Sequence, residues 1–315
     1  MKQTRTLVTG AAGFVGSWLV PALCAAGREP IGSDLPGQPA CDAQIAWREC
    51  DLRSRAAVDE LVSAARPDEV VHLAAIASPS QVEREPLSGL RANYVALDHL
   101  LLALRERAPR ARLLFVSTGE VYGLSPAPAP PWRETDPLRP MTAYAATKAA
   151  AEQRVRLAIE RDGLDALIAR PFNHTGRGRP PIYAESSFAE QIARIERGLQ
   201  EPVLRVGNLD AERDFSDVRD VVAAYAVLLE RGESGATYNV CSGRARRIAE
   251  ILELLVSRAR VRPRIEVDPE RWRPLPEGRR SRAGNSDRLR ALGWRAAHPL
   301  EDTLDALLDG FRDAP

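Results

Sequence analysis

The segment Thr9-Gly10-Ala11-Ala12-Gly13-Phe14-Val15-Gly16 decides the fold of this chain. It follows the apolar pair Leu7-Val8, which is typical of a strand, and it opens a stretch with helical periodicity over residues 14–26 that stops at Gly27. Glycines at every third position let the backbone turn tightly and approach a pyrophosphate, and the helix N-terminus adds unpaired N–H groups and a positive dipole end. A glycine triplet also occurs in ordinary turns. Its place between a strand and a helix is what predicts a dinucleotide site.

Strand-like and helix-like segments alternate along the first half of the chain. Apolar and β-branched runs predict strands over residues 5–9, 30–34, 45–50, 69–74, 112–117 and 166–170. Amphipathic stretches between them predict further helices over residues 53–65, 87–107 and 141–161. Because this alternation is typical of parallel strands joined by right-handed crossovers, the predicted fold class is α/β. We expect a Rossmann-type doubly wound parallel sheet with a smaller C-terminal substrate-binding lobe.

The pattern becomes less regular after Phe172, and this change predicts how the chain is divided. Residues 176–181 are rich in Gly, Pro and Arg, which indicates a loop, and shorter strand-like and helix-like runs follow. We therefore expect a dinucleotide-binding Rossmann domain over residues 1–172. Residues 173–315 are expected to form mainly the substrate-binding lobe, with segments that return to the main sheet.

Composition and charge exclude several classes of partner. The 315 residues include 44 Lys and Arg against 43 Asp and Glu, for a formal net charge of +1. Because the two signs are mixed along the sequence, we expect no nucleic-acid partner. No apolar run approaches the roughly 20 residues of a membrane span, and the N-terminus has no signal-peptide pattern, so we expect no membrane association and a cytoplasmic location. The Cys and His residues show no metal-ligand spacing, so we expect no metal.

Two acidic residues follow predicted strands near the expected dinucleotide site. A carboxylate at Asp34, which ends the second strand, can accept hydrogen bonds from the adenosine ribose and repels a 2′-phosphate. This favours NAD(H) and leaves NADP(H) possible. Asp34 can instead be a turn residue before Pro36-Gly37. Asp51, which closes the third strand together with Leu52, fits either a position beside the adenine or the N-cap of the next helix.

A phenol and an ammonium lie one helical turn apart in Tyr144-Ala145-Ala146-Thr147-Lys148, on the same face of a helix. A lysine ammonium close to a tyrosine favours the phenolate and lowers the tyrosine pKa from its usual value of about 10. Tyr144 can then exchange a proton with the oxygen of a carbonyl or carbinol. Ser117-Thr118 ends the fifth strand, at the sheet edge where ligands bind, and supplies a hydroxyl. A Tyr-x3-Lys pair alone can be an exposed helical pair; together with the glycine turn it indicates hydride transfer with a nicotinamide cofactor.

Several further segments carry a family resemblance. In the first half they are His72-Leu73-Ala74-Ala75, Ser117-Thr118-Gly119-Glu120-Val121-Tyr122-Gly123 and Tyr144-x3-Lys148. With the glycine turn, these resemble the extended short-chain dehydrogenases/reductases, the NAD-dependent epimerase/dehydratase family. The later segments are Arg139-Pro140-Met141-Thr142-Ala143-Tyr144, Arg170-Pro171-Phe172-Asn173-His174-Thr175-Gly176, Val206-Gly207-Asn208-Leu209, Arg213-Asp214-Phe215-Ser216-Asp217-Val218-Arg219-Asp220 and Tyr238-Asn239-Val240-Cys241-Ser242-Gly243. These are similar to the GDP-4-keto-6-deoxy-mannose reductases of that family, and in part to GDP-mannose 4,6-dehydratases.

The resemblance implies roles for individual residues. The implied catalytic residues are Thr118, Tyr144, Lys148 and Glu120. The implied cofactor contacts are Gly10, Ala12, Gly13, Phe14, Val15, Gly16, Asp34, Asp51, Leu52, Leu73, Ala74, Ala75, Tyr144, Lys148 and Pro171. The implied contacts to a nucleotide-sugar substrate are Ser78, Thr118, Glu120, Asn173, Arg213, Arg273 and Glu277. Arg213 can instead pair with Asp214 or Asp217, and three more arginines of the late loop can reach phosphate: Arg279, Arg280 and Arg282.

Gly119 and Glu120 bear on which reaction the resemblance implies. Dehydratases of the family use a glutamate at the second position after the strand-end Ser/Thr to remove the sugar C5 proton, and they usually have Asp or Ser in between. Gly119 has no side chain that could donate a proton. The resemblance therefore favours reduction of the 4-keto group of a nucleotide-activated 6-deoxyhexose, of the GDP-4-keto-6-deoxy-mannose type, by NAD(P)H. The alternatives are a 4,6-dehydratase, a 4-epimerase with retained NAD, and a non-catalytic dinucleotide-binding sensor; the presence of both Tyr144 and Lys148 disfavours the sensor.

The two long helices predicted over residues 87–107 and 141–161 are rich in Ala and Leu. In the family such helices often pair between two copies of the chain. The resemblance therefore implies a homodimer formed through a four-helix bundle. Burial of the same helices against the chain's own sheet would give the same composition.

Overall fold

The computed structural model describes residues 3–126, 129–275 and 279–314. In these ranges the strands are Arg5–Thr9 (β1), Glu29–Asp34 (β2), Ala46–Glu49 (β3), Glu69–His72 (β4), Arg112–Val116 (β5), Ser125–Pro126 (β6), Ala166–Pro171 (β7), Asn173–Thr175 (β8), Val203–Val206 (β9), Glu212–Asp217 (β10), Thr237–Val240 (β11), Ala245–Arg247 (β12), Arg264–Val267 (β13) and Arg279–Arg282 (β14). The α-helices are Phe14–Ala25 (α1), Arg55–Ala65 (α2), Pro79–Arg84 (α3), Pro86–Leu90 (α4), Ala96–Arg107 (α5), Ala143–Asp162 (α6), Ala184–Glu196 (α7), Val218–Arg231 (α8), Ile248–Ser257 (α9), Asp287–Ala291 (α10) and Leu300–Arg312 (α11).

A parallel sheet of seven strands, in the order β11-β7-β5-β4-β1-β2-β3, confirms the predicted fold class. The strand order changes direction at β1, since β2 lies on one side of it and β4 on the other. Ligands of open α/β sheets bind at the carboxyl ends of the strands at such a switch point. β11 comes from the second half of the chain and pairs with β7 at the sheet edge. The division of the chain at residue 172 remains a prediction.

Both faces of this sheet are covered by helices, which explains why central strands such as β1, β4 and β5 contain consecutive buried apolar residues. In β1, Leu7 packs with residues of α2, α5 and α6, whereas the next residue, Val8, packs with residues of α1 and α8. The same alternation separates Leu113 from Leu114 in β5. The helices thus fix the sheet from both sides and leave the carboxyl ends of its strands to form a site.

The helix predicted over residues 87–107 is present and contains one irregular turn. A π-helical turn, Arg91–Val95, separates α4 from α5 and turns Asn93 into the protein, where it is 1% exposed. The Asn93 amide accepts from the Ile76 nitrogen (2.8 Å) and donates to the Thr147 Oγ1 (3.0 Å). Hydrophobic periodicity could not indicate this turn, because the contacts of the buried Asn93 are with residues distant in sequence. Such turns are frequent at functional sites.

The second half of the chain builds a smaller lobe beside the sheet. Its strands join the short strand β6 of the first half in the order β12-β10-β14-β6, with β8 beside β10, and β9 pairs separately with β13. Its core joins α7, α9 and α11 through residues such as Phe188, Leu204, Leu255 and Leu307. Within the described ranges, no helix is long and apolar enough to cross a membrane.

Candidate active site

A cleft of about 590 Å³ lies at the carboxyl ends of the central strands. Every residue predicted to contact the cofactor lines this cleft: Gly10, Ala12, Gly13, Phe14, Val15, Gly16, Asp34, Asp51, Leu52, Leu73, Ala74, Ala75, Tyr144, Lys148 and Pro171. Of the residues predicted to contact substrate, Thr118, Glu120 and Asn173 line it as well. The fold therefore brings together most of the predicted site.

The glycine turn forms a cradle that side chains would fill. Gly10 has a φ of +73°, and a Cβ on it would lie 2.6 Å from the Ala74 nitrogen. A Cβ on Gly16 would lie 2.4 Å from the Ala11 oxygen, which brings α1 close to β1. Gly13 caps α1 without a side-chain hydrogen bond, and the first turn of α1 has no acidic residue. The N–H groups and positive end of the helix can therefore serve an anionic ligand, and the cradle fits a dinucleotide pyrophosphate.

The two acidic residues predicted at the dinucleotide site lie on its wall in different settings. The Asp34 carboxylate accepts from the Ala12 nitrogen (2.9 Å) and from the Leu35 nitrogen (2.8 Å), so it both makes a turn and supports the glycine loop. The Asp51 carboxylate is paired with the Arg53 guanidinium at 2.8 Å. The N-cap of α2 is Ser54, so the alternative of Asp51 as N-cap is wrong.

Tyr144, Lys148 and Thr118 meet at the other end of the cleft. Tyr144 is 8% exposed, and a hydrogen bond with the Thr118 hydroxyl favours its phenolate. The Lys148 Nζ donates to the Val116 oxygen at 2.6 Å. The neighbouring hydroxyl of Ser117 donates instead to the buried Glu152 at 2.6 Å. Between the two strand-end hydroxyls, Thr118 is therefore the one that can act on a ligand oxygen together with Tyr144.

The electrostatics of this pair differ from the sequence-based expectation. The pKa of Tyr144 is raised, mainly by burial and then by the nearby Glu120 carboxylate. Burial also lowers the pKa of Lys148 to about 8, against the opposing effect of Glu152. The expected lowering of the Tyr144 pKa by Lys148 is not found, because burial of the phenol dominates and the Lys148 ammonium is turned toward the Val116 carbonyl. A raised pKa keeps Tyr144 protonated, which suits a proton donor.

A buried ionic network joins α6 to β7 and to the end of β5, and sequence reasoning missed it. Glu152, one turn after Lys148 on α6, is paired with Arg170 of β7 at 2.6 Å, with side chains 0% and 2% exposed. The same guanidinium donates to the Tyr122 hydroxyl (2.6 Å), which donates to the Asn239 Oδ1 (2.8 Å). The signal was available in the sequence as a glutamate four residues after Lys148.

Four residues predicted to contact substrate are not among the described residues that line the cleft. Ser78 is the N-cap of α3 and accepts from the Gln81 nitrogen, although both of its neighbours in sequence line the cleft. Arg273 is exposed and donates to backbone oxygens of its own loop. Arg213 lies in β10, and Glu277 is outside the described residues.

Arg213 stands beside another arginine on the neighbouring strand. β10 and β14 are parallel, and their register puts Arg213 opposite Arg282. Burial and the Arg282 charge lower the pKa of Arg213 to about 9. Arg282 itself lines the cleft and forms an ion pair with Glu120 at 3.2 Å. Among the late-loop arginines whose side chains the structure describes, Arg282 thus lies at the cleft.

Arg179 and Tyr183 also line the cleft and were not predicted. The Arg179 guanidinium lies 3.6 Å from the centroid of the Tyr183 ring and 5.2 Å from that of Phe14. Its Nε is 3.7 Å from the Glu185 carboxylate. Arg179 itself lies in a Gly- and Pro-rich segment without periodicity, so only the tertiary structure reveals this cluster.

Gly119, between Thr118 and Glu120, has no room for a side chain. A Cβ on Gly119 would lie 2.9 Å from the Phe172 ring. A Cβ on Gly284 would meet the same ring at 2.5 Å. The phenyl group of Phe172 therefore lies between two glycines, and each of them must remain small while Phe172 is present.

The glycine cradle and the Thr118-Tyr144-Lys148 cluster line the same cleft and together define a dinucleotide-dependent enzyme of the Rossmann class. The chain belongs to the NAD dependent epimerase/dehydratase family, whose model matches residues 6–241. It is 37% identical to GDP-6-deoxy-D-mannose reductase of Pseudomonas aeruginosa, over 98% of this chain and 97% of that one.

Solved structures agree with this membership. A structure described as RMD from Pseudomonas aeruginosa complexed with NADPH matches with a TM-score of 0.85 at 36% identity, over 99% of this chain and 100% of that one. The UDP-glucose 4-epimerase of Thermus thermophilus, in complex with NAD, matches with a TM-score of 0.89 at 30% identity, over 99% of this chain and 100% of that one. The shared fold thus serves both reduction and epimerisation, and the choice depends on side chains.

Proposed function

We propose that this chain reduces the 4-keto group of a nucleotide-activated 6-deoxyhexose, of the GDP-4-keto-6-deoxy-mannose type, with NAD(P)H. The observation that carries the substrate class is the full-length similarity to the Pseudomonas reductase. The chemistry is supported by Tyr144 and Thr118, whose hydroxyls are hydrogen-bonded to each other in the cleft that the glycine turn also lines. A sugar carbonyl oxygen between them would receive a hydrogen bond and a proton from the same side.

The roles of the residues follow from their chemistry. Gly10, Gly13 and Gly16 would hold the pyrophosphate, Asp34 the adenosine ribose and Lys148 the ribose beside the nicotinamide. The bound dinucleotide supplies the hydride. Tyr144, kept protonated by burial, gives its proton to the sugar O4 as negative charge develops there, and the Thr118 hydroxyl polarises that oxygen. The substrate side of the cleft would be formed by Glu120 and Asn173, while contacts from Arg213, Arg273, Glu277 and Ser78 remain predictions.

Reduction is favoured over dehydration by the surroundings of Gly119. A residue with an acidic or hydroxyl side chain at that position would help a departing C6 hydroxyl, but the Phe172 ring fills the space. A 4,6-dehydratase remains the second candidate because Glu120 lines the cleft and can act as a base.

The test is to mix the purified protein with GDP-4-keto-6-deoxy-mannose and NADH or NADPH and follow absorbance at 340 nm. Loss of the reduced cofactor together with a GDP-6-deoxyhexose product supports the proposal. Conversion of GDP-mannose to a 4-keto product, without net cofactor loss, would overturn it in favour of the dehydratase. Failure of both reactions with cofactor bound would point to a sensor.

Replacing Asp34 by asparagine is expected to shift the ratio of kcat/KM for NADPH over NADH about tenfold or more toward NADPH, which corresponds to about 1.4 kcal/mol. The amide oxygen can still accept from the Ala12 nitrogen, while the charge that repels a 2′-phosphate is removed. Glu49→Gln is the matched control, because Glu49 is the register partner of Asp34 at the same sheet edge and does not line the cleft. An unchanged ratio in Asp34→Asn would remove Asp34 from the cofactor assignment.

A cytoplasmic homodimer formed through a four-helix bundle is also proposed. Three leucines on these helices are exposed: Leu87 (71%) and Leu90 (40%) of α4, and Leu157 (39%) of α6. The helix α4 packs against α6. Exposed leucines on adjacent helices support an apolar contact with a second copy of the chain. Sedimentation analysis of the protein and of a Leu87→Glu variant tests it: a monomer in both samples excludes the dimer.

A further inference from the structure

Glu120 and Arg282 form an ion pair inside the cleft that the proposed reduction does not use. The Arg282 Nη1 lies 3.2 Å from the Glu120 Oε1, and the two side chains are 7% and 22% exposed. The Arg282 Nε also donates to the Gly123 oxygen at 3.1 Å. The guanidinium is thus buried and held from two sides, and it fixes the direction of the carboxylate.

Glu120 is the carboxylate at the reacting end of the cleft. Among the described residues that line the cleft, the other carboxylates are those of Asp34 and Asp51, which follow β2 and β3 at the dinucleotide end. Glu120 is close enough to the phenol that its charge raises the pKa of Tyr144. A sugar carbonyl at Tyr144 would therefore have a carboxylate near its neighbouring carbons.

A base in that position threatens a 4-keto sugar. The hydrogen on C5 is acidic because the carbonyl can take up the charge. A free carboxylate can take this proton, whereupon the C–H electron pair forms a C4–C5 double bond and O4 becomes an enolate oxygen that Tyr144 can protonate. Return of a solvent proton to C5 reverses the step, with exchange of that hydrogen or inversion of the centre. The step needs no oxidant or reductant.

We propose that Arg282 is a specificity-determining positioning residue: by its ion pair with Glu120 it holds the carboxylate away from C5, so that the ketone is reduced without proton exchange at the neighbouring carbon. This inference rests on the proposed function. A general base must come within hydrogen-bond distance of the proton it removes. The charge-assisted bond to a buried and anchored guanidinium restricts the rotation that would bring Glu120 there.

The experiment follows hydrogen exchange at C5 by proton NMR, with GDP-4-keto-6-deoxy-mannose in D2O and enzyme loaded with NAD+, so that no reduction occurs. We expect exchange close to the uncatalysed rate for the wild type and at least about tenfold faster exchange for Arg282→Met. The double variant Glu120→Gln/Arg282→Met should return to the uncatalysed rate. Arg282→Lys, which keeps a cation, should restore much of the restraint.

Arg112→Met is the matched control, since Arg112 is also paired with a carboxylate, Asp165, at 2.9 Å but does not line the cleft. Thermal unfolding with and without NAD+ establishes that each variant is folded. Slow exchange in folded Arg282→Met, or fast exchange that persists in the double variant, would overturn the proposal. Reduction of the same substrate by NADH is measured separately, so a failure of the proposed function is distinguished from a failure of this inference.

Discussion

Replacement of Tyr144 by phenylalanine is expected to lower kcat by about 10²- to 10⁴-fold, the range that a positioned proton donor contributes. Burial keeps the phenol protonated, and the hydrogen bond with Thr118 assists its loss of the proton. Phenylalanine keeps the ring that fills this wall of the cleft and removes the proton that O4 needs. The loss should therefore appear in kcat, with the affinity for the dinucleotide changed by less than about threefold.

The measurement is steady-state reduction of the 4-keto nucleotide sugar, combined with a fluorescence titration of NADH. Tyr94→Phe provides a matched control, because Tyr94 packs at the edge of the sheet core and does not line the cleft. Activity within about twofold of wild type in folded Tyr144→Phe would exclude Tyr144 as the acid. A loss of NADH binding equal to the loss of rate would mean that Tyr144 acts in binding rather than in proton transfer.

Replacement of Arg170 by methionine is expected to destabilise the protein by about 3–5 kcal/mol, because it leaves a charged Glu152 in the interior without its partner. Glu152 and Arg170 are 0% and 2% exposed, and two of the hydrogen bonds between them measure 2.6 and 2.9 Å. The buried carboxylate would keep its hydrogen bond from the Ser117 hydroxyl and the Arg156 guanidinium at 4.0 Å, but it would lose both bonds from Arg170. Urea unfolding followed by circular dichroism gives the change in the free energy of unfolding, provided that the transition is two-state.

Arg205→Met is the control for this stability measurement. Arg205 is paired with Glu201 four residues earlier, and their side chains are 52% and 63% exposed, so its loss should cost less than about 1 kcal/mol. Glu152→Gln/Arg170→Met should be more stable than Arg170→Met alone, since no buried charge is then left unpaired. If Arg170→Met lowers the free energy of unfolding no more than Arg205→Met does, the buried pair does not contribute importantly to stability.

The parts of the fold that depend on residues close together in the sequence could be predicted. Leu7 and Val8 are both apolar because β1 is covered on both faces, and this continuous burial distinguishes a parallel strand. The glycine turn could be assigned because only small residues satisfy the contacts with Ala74 and Ala11. Tyr144 and Lys148 could be paired because four residues make about one turn of a helix.

Features produced by tertiary contacts could not be predicted. The π-helical turn at Arg91–Val95 accompanies a buried amide, Asn93, bonded to residues far away in sequence. The raised pKa of Tyr144 arises from burial and from Glu120, neither of which the Tyr-x3-Lys spacing reveals. From the sequence, Arg282 is one of three late-loop arginines that could reach phosphate. Its position beside Arg213 follows from the pairing of β14 with β10, which the sequence does not reveal.

The position of the Phe172 ring between Gly119 and Gly284 has a consequence for how this enzyme could change its chemistry over time. A serine or aspartate introduced at position 119 alone would collide with the ring, and a smaller residue at position 172 alone would leave a cavity beside the catalytic strand. Either substitution alone is expected to destabilise the protein, and only both together make room for an acidic or hydroxyl side chain at position 119. An acidic or hydroxyl side chain at position 119 therefore requires two simultaneous substitutions rather than one.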